Sequence, residues 1–518
     1  MANRSLFRSR GGRWLPGWDC LNEEGAPAYV LPAREALAQY ALTGCLNSTV
    51  YASAETQRDR VLELCSEVDP EYIARVALYA RSQGFMKDVP ALLCAVLAVR
   101  DPELLVRIFD RVIDDARMLR TFVQIIRSGA VGRRSLGTLP KRLVRQWLEN
   151  RSDTAVFAGS VGNAPSLADI VKMVHPRPAT ATREALYGYL LGRTVQADAL
   201  PAIVGEYESF KADATSEAPD VPFQMLAGLD LSAGHWVRMA QRASWQVTRM
   251  NLNTFARHGV FEHAGMDTLI AERLRDPAAI RRSRVFPYQL MAAYMNTDAS
   301  VPEIVRAALE EAAELALANV PAIDGQVYVC PDVSGSMSAP VTGNRIGSTT
   351  KIRCIDVAAL FAAAVLRKNP EAQVIPFEER CVDVDLDRHD HVLANAAKLA
   401  AVGGGGTNCS APLRRLNVSR ASGSLVVFIS DNQSWADAKH NHGGTAMLQE
   451  WNVFARRNPG ARLVCIDIQP YGTTQARDRR DILNIGGFSD RVFETVDLFA
   501  RGGLQAGELA GAIEGLRI

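Results

Sequence analysis

The sequence predicts two folds in one chain, a helical-repeat half followed by a doubly wound α/β domain. Three observations predict it. From about residue 32 to 321 the local signals are helical almost throughout. After Gln326, short β-rich runs alternate with helical stretches, the pattern of a parallel sheet with crossover helices. The change of texture falls at Gln326-Val-Tyr-Val-Cys-Pro-Asp-Val-Ser-Gly-Ser-Met337, where β-formers give way to a small polar loop headed by an acid.

Composition narrows the class. The 518 residues allow two to four domains, and 48% hydrophobic with 22% charged residues describe an ordinary soluble globular protein. A net charge of +1 excludes a global electrostatic argument for nucleic acid, so any such argument must be local. Nine scattered cysteines without a Cys-x-x-Cys pair point away from a zinc ribbon or a disulfide framework and toward a reducing cytoplasm. The basic N-terminus lacks the apolar core of a signal peptide, and no apolar run is long enough to span a bilayer.

Taken in order, residues 1–30 are rich in Arg, Gly and Pro and are expected to form an irregular arm. Residues 31–321 are the expected helical domain. Asp69-Pro70-Glu71 and Asp101-Pro102-Glu103 each combine an Asp N-cap, a Pro at the first helical position and a Glu in the first turn. Their spacing of 32 residues approaches one helix-pair repeat, and Asp276-Pro277 offers a third start. The reading is an α-solenoid of irregular HEAT-like pairs, with an irregular bundle as the alternative. Ser300-Val-Pro-Glu303 is a capping box that opens an Ala/Leu/Glu-rich helix to about Asn319, stopped by Pro321.

Residues 322–518 are the expected α/β domain. Strands are predicted over 327–330, 373–377, 425–429, 462–468 and 491–495, and helices over 351–368, 391–401, 445–457 and 497–516. There is no Walker A sequence, no Gly-x-Ser-x-Gly elbow and no His-Glu-x-x-His.

Asp332, Ser334 and Ser336 present one carboxylate and two hydroxyls at alternate positions. Thr407 follows the run Gly403-Gly-Gly-Gly406, and Asp431 follows the apolar strand 425–429. Loops after parallel strands converge on one rim, so oxygens from three loops can share one ion. The donors are hard, suited to Mg²⁺, Mn²⁺ or Ca²⁺ and not to a soft metal. The alternative is a plain polar loop, since Ser and Gly are common in turns. His440 and His442 lie in a Gly-rich loop nearby as further, weaker ligand candidates.

Residues 127–151 hold Arg127, Arg133, Arg134, Lys141, Arg142, Arg145 and Arg151 against the single acid Glu149. This local excess reads as a phosphate-binding face or, more blandly, as a solvated helix face. Arg238, Arg242, Trp245 and Arg249 fall on one face of a continuous helix. That face either stacks and pairs with single-stranded nucleic acid or surrounds a core tryptophan with snorkelling arginines. Arg273, Arg275, Arg281, Arg282 and Arg284 form a third cluster. His175, in Lys172-Met-Val-His175-Pro176-Arg177-Pro178, marks a proline-fixed corner with either a phosphate-contacting or a capping role.

The loop residues match the metal-ion-dependent adhesion site of von Willebrand factor A domains, and the chain from 31 to 518 resembles the bacterial Ro (TROVE-domain) proteins. In the first half the resemblance rests on Thr43-Gly-Cys-Leu-Asn-Ser-Thr-Val-Tyr-Ala-Ser53, Ser135-Leu-Gly-Thr-Leu-Pro-Lys-Arg-Leu-Val-Arg-Gln-Trp147, the His175–Pro178 corner and Arg284-Val-Phe-Pro-Tyr-Gln289. In the second half it rests on Asp332-Val-Ser-Gly-Ser336, Gly405-Gly-Thr-Asn-Cys409, Ser430-Asp-Asn432 and Ile485-Gly-Gly-Phe488. The resemblance implies a monomeric helical-repeat ring closed by the A domain. It implies a basic outer face that binds small Y-type RNA and a central hole that takes single-stranded 3′ ends of misfolded or structured RNA. It further implies an RNA tether to polynucleotide phosphorylase. The RNA-contacting residues it implies are Lys141, Arg142, Arg145, Lys172, His175 and Arg177, with Arg133 and Arg134 added from the local charge excess. The metal ligands it implies are Asp332, Ser334, Ser336, Thr407 and Asp431, with Mg²⁺ as the expected ion and an open position that takes a partner's carboxylate.

The sequence therefore reads as a non-catalytic RNA-binding scaffold with a divalent-metal site and no membrane association. The competing reading is a protein-interaction adaptor whose metal site captures an acidic partner. A metal-dependent nuclease fits less well, because the site lacks the paired carboxylates of two-metal hydrolysis.

Overall fold

The computed structural model describes residues 18–43, 46–49, 51–213, 218–283, 285, 287–344, 351–435, 444–469, 471–477, 479–487, 491–502 and 508–518. Its contacts form two compact units. One comprises Met1–Leu64, Leu274–Thr297 and Arg306–Ile513; the other comprises Cys65–Arg273, Asp298–Val305 and Glu514–Ile518. The expected boundary at 321/322 follows the change of secondary structure, whereas these units follow packing.

The first unit is built on strands β1 (Cys20–Leu21), β2 (Pro27–Val30), β3 (Val327–Pro331), β4 (Gln373–Val374), β5 (Leu425–Ser430), β6 (Arg462–Asp467), β7 (Thr473–Thr474) and β8 (Ile482–Gly486). A five-stranded sheet runs in the order β4-β3-β5-β6-β8, with every neighbouring pair parallel. Strands β3 and β5 are buried at every position, as befits a sheet covered on both faces. On one face Phe377, Phe428, Trp451 and Phe454 lead a core cluster. The helix Cys354–Lys368, buried from Cys354 to Leu366, also packs against β3 and β5. The doubly wound α/β fold predicted for this half is what forms.

Two expectations fail here. Residues 491–495, predicted as a strand, begin the helix Arg491–Ala500, because Val492, Val496 and Phe499 recur at helical spacing and are all buried. The fifth strand is instead β8, hidden in sequence by its shortness and by Asn484, whose side chain bonds Thr474 and Ala476. The single helix expected over 497–516 is interrupted at Gly502, which has φ of +80°, and resumes as Glu508–Glu514. The helix Ala411–Val418 was not anticipated.

Residues 18–30 are not irregular. The turn at Gly25 (φ +71°) joins β1 and β2 as an antiparallel hairpin, and β2 pairs with β7. The helix Ala33–Thr43 packs beside β8, where the buried Gln39 donates to Asp467 at the end of β6. A Cβ on Gly486 would lie 2.5 Å from Gln39 Cγ, so this approach requires glycine. The hairpin and first helix thus belong to the sheet unit.

The second unit is helical among the described residues of Cys65–Arg273. Asp69 accepts from the Tyr72 amide at 2.8 Å and Asp101 from the Leu104 amide at 3.0 Å, capping Pro70–Ser82 and Pro102–Val112 as predicted. The helix Asp88–Arg100 is buried from Val89 to Ala98 and packs against both, and against Ala116–Ser128. A helix apolar on every side belongs at a centre, and here it is one. Arg75, Arg111 and Arg107 donate to the main-chain carbonyls of Leu516, Arg517 and Ile518.

The shared helix face of Arg238, Arg242, Trp245 and Arg249 does not exist. The helix Ala233–Arg242 ends at Ala243, and Ser244 caps a new one, Trp245–Met250. Arg273 donates to the carbonyls of Ala240 and Gln241 at 2.6 Å each, holding the end of the first. Trp245 is buried, so of the two alternatives it is the core tryptophan.

Candidate metal centre and basic face

The five oxygen donors converge at the carboxyl ends of β3 and β5, which are adjacent in the sheet. Asp332 follows β3 and Asp431 follows β5, both buried. Asp332 accepts from the Ser334 amide at 2.8 Å and from the Ser430 hydroxyl at 2.5 Å. The Ser334 and Ser336 hydroxyls lie 3.3 Å apart, and Thr407 donates to Ser334 at 2.9 Å. Thr407 is delivered by the glycine run. Gly404 N–H donates to Val333 and Gly335 N–H to Gly405, each at 3.1 Å, stitching the two loops together. Gly405 has φ of +70°, which strains any other residue, and a Cβ there would lie 1.7 Å from Glu378 Oε2 and displace that side chain.

The electrostatics fit a cation. Burial, and then the neighbouring Asp431 charge, push the Asp332 carboxyl up to about 7. Burial raises Asp431 as well, with the charge of Glu24 adding to it. Asp431 Oδ2 is buried without a hydrogen-bond partner. Two buried carboxylates and an orphaned oxygen amid three hydroxyls form a donor set for a hard divalent ion. Among the described residues no three His, Cys, Asp or Glu side chains gather as ligands, so the hydroxyls are essential to any such site. His440 and His442 lie outside the described residues, as do Cys45, Arg284 and Phe488.

The surrounding polar groups were not legible as site residues. Gln433 and Ser434 are buried beside Asp431, and they hold the turn at residues 22–26: Asn22 donates to the Ser434 carbonyl at 2.7 Å, and the Glu23 amide donates to Gln433 at 2.9 Å. Burial, and then the neighbouring Asp431 charge, push the Tyr51 hydroxyl up. No local motif announces these contacts, since residues about 400 positions away meet only in the fold.

In the helical unit, the helix Thr138–Asn150 buries Pro140, Leu143, Val144, Trp147 and Leu148, leaving Lys141, Arg142 and Arg145 on its other sides. The helix Leu167–Val174 ends in His175, which has φ of +49° and sits exposed between exposed Lys172 and Arg177. Arg145 Nε donates to the Val174 carbonyl, joining the basic helix to this corner. Among the described residues Lys141, Arg142, Lys172, His175 and Arg177 enter no ion pair, whereas Arg75, Arg81, Lys87 and Arg183 each hold a carboxylate. Arg133 differs from its neighbours: it bonds the carbonyls of Ser135 at 2.8 Å and Ala98 at 3.2 Å. Arg134 is exposed and leans on Gly129.

Residues 326–500 match the family model described as the Ro60 vWA domain. This region is a Ro60-type A domain. That bears out the resemblance to Ro proteins, and the similarity extends beyond the A domain. The RNA-binding protein RO60 of Deinococcus radiodurans is 27% identical, covering 93% of this chain and 95% of that protein. The RNA-binding protein RO60 of Caenorhabditis elegans is 22% identical over 256 residues, 47% of this chain and 38% of that one. The crystal structure of the Deinococcus radiodurans RO (RSR) protein superposes with a TM-score of 0.63 at 21% identity, covering 91% of this chain and all of that one. The similarity to Ro proteins thus covers both the helical region and the A domain.

Proposed function

We propose that this chain is an RNA-binding Ro-type scaffold that acts by holding RNA. The observation that carries the reading is the joined basic corner. Arg142, Lys172, His175 and Arg177 are exposed, Lys141 and Arg145 are half-buried, and the corner is tied together by the Arg145 bond to Val174. Cationic side chains left without carboxylate partners are free to neutralise phosphates, and phosphate contacts supply most non-specific affinity for RNA. The relatives described as RNA-binding proteins support the same reading.

The finer proposal is a small structured Y-type RNA on this face and single-stranded 3′ ends of misfolded or structured RNA at a separate place on a monomeric ring. Polynucleotide phosphorylase would be held through the RNA, in the cytoplasm. Asp332, Ser334, Ser336, Thr407 and Asp431 would hold a divalent ion, Mg²⁺ in the simplest case. When bound, that ion supplies the positive charge that the two buried carboxylates lack.

The test is to purify the protein from its own cells in mild salt and sequence the RNA that accompanies it. One abundant structured small RNA supports the reading. A stoichiometric protein partner without RNA would favour the adaptor instead.

A further inference from the structure

Arg353 stands immediately before the helix Cys354–Lys368 and holds its first turn through Asp356. The Arg353 amide donates to Asp356 Oδ2 at 2.7 Å. Its guanidinium grips the same carboxylate twice, Nη2 to Oδ1 at 2.7 Å and Nε to Oδ2 at 3.1 Å. Asp356 is buried, so this fork gives a buried charge its counter-ion. Nη2 also reaches the Ala400 carbonyl at 3.4 Å, at the end of the helix Val392–Ala400. Among the described residues Nη1 has no hydrogen-bond partner.

Arg353 and Asp356 line a cavity of about 510 Å³ that lies wholly within the sheet unit. Much of the remaining wall is apolar, with Met291 and Met295 from the helix Pro287–Asn296 and Leu393 and Ala397 from Val392–Ala400. Small-molecule sites have this character: roughly 300–1,000 Å³, mostly apolar, with a few polar groups that fix orientation. Methionine side chains are unbranched and polarisable, so they mould to an irregular apolar body.

The polar end sets the class of ligand. The Arg353 side chain is 39% exposed and that of Asp356 only 3%, so a head group meets the guanidinium and keeps its contact with water. Asp356 already balances much of the guanidinium charge. A doubly charged phosphate would bring more negative charge than the pair offsets, and an amine would be repelled by the guanidinium. A carboxylate brings one charge spread over two oxygens and accepts the N–H groups that Asp356 leaves. Its apolar body leaves water against the methionines and Leu393.

We propose that this cavity binds a small monocarboxylate with an apolar body, held by Arg353 at its head and by Met291, Met295 and Leu393 along its length. The site is separate from the five metal ligands and does not rest on them, although Ser338 and Gly404 in its wall belong to the same loops. An ion held by Asp332 would also attract a carboxylate, so the test is run without metal.

The full chain is titrated in EDTA with octanoate, octanol and octylamine, followed by saturation-transfer NMR. Octanoate is expected to bind saturably and roughly tenfold more tightly than octanol, the measure of one hydrogen bond to a charged group. Octylamine should not bind. Ala397→Phe, at an exposed position, places a ring in the cavity and should abolish binding of both octanoate and octanol. Arg353→Lys keeps a cation for Asp356 but loses the second donor edge, so octanoate and octanol should then bind alike. Absence of saturable octanoate binding to the wild type overturns the proposal, as does undiminished binding by Ala397→Phe. Equal wild-type affinity for octanol and octanoate overturns the carboxylate class. Octanoate binding that appears only when Mg²⁺ replaces EDTA also overturns the site, because the carboxylate then sits on the ion.

Discussion

The Arg145 guanidinium donates to the carbonyl of Val174, one residue before His175 turns into left-handed backbone. A cationic side chain at a helix C-terminus satisfies an orphan carbonyl and faces the negative end of the dipole. Here it also fixes where the exposed His175 stands relative to the helix Thr138–Asn150. Arg145→Ala is therefore expected to weaken RNA binding by more than one phosphate contact, because it frees the corner as well as removing a charge. Arg145→Lys keeps the charge but loses the planar guanidinium donor, and is expected to recover only part of the affinity. Fluorescence anisotropy with the co-purifying RNA checks both; full affinity in Arg145→Ala would remove the corner from the interface.

Arg142 is exposed and forms no ion pair among the described residues. Arg142→Ala should lower affinity about equally for every RNA tested and make log K against log salt shallower by roughly 0.7 to 0.9. With Lys141, Arg142, Arg145, Lys172 and Arg177 all engaged, the wild-type slope should be roughly −4. A slope near zero across a salt titration contradicts a phosphate-dominated face.

Trp245 is 8% exposed and begins the helix Trp245–Met250, with Arg249 lying over its ring at 5.9 Å. Truncating a buried aromatic costs about 3–5 kcal/mol. Trp245→Ala should thus lower the unfolding free energy by that measure in a denaturant titration while folded protein retains its affinity for RNA. Loss of RNA binding in a variant shown to be folded would restore the stacking role that burial argues against.

How far the fold was legible depended on whether the signal was local. The Asp-Pro-Glu helix starts were readable because N-cap, proline and first-turn acid act within four residues, and Asp69 and Asp101 cap as expected. The convergence of the loops at Asp332, Thr407 and Asp431 was readable because an acid after an apolar strand and a glycine run are each short patterns. The helix Arg491–Ala500 was misread because Val492, Thr495 and Val496 have β propensity, which tertiary packing of one helical face overrides. The common face of Arg238 and Trp245 failed because periodicity cannot see Ser244 restarting the helix. The hold of Asn22 and Glu23 on Ser434 and Gln433, next to Asp431, left no trace, since residues about 400 positions apart meet only in the fold.

Asp332 gives the clearest dependence on pH. Burial and Asp431 raise its carboxyl from the ordinary 3.8 to about 7, so between those values the folded metal-free protein holds a proton that the unfolded chain has released. Stability rises with pH only where the unfolded state binds more protons; here the folded state does, so this group's contribution falls as pH rises through that interval. A divalent ion reverses the balance, because it binds the ionised pair and competes with the proton. Urea midpoints with and without Mg²⁺ should therefore diverge as pH rises, with the largest stabilisation by the ion above about pH 7 and the smallest near pH 5. In Asp332→Asn the ion should stabilise little at either pH. A Mg²⁺ effect of equal size at both pH values would mean that the buried pair is not where the ion binds.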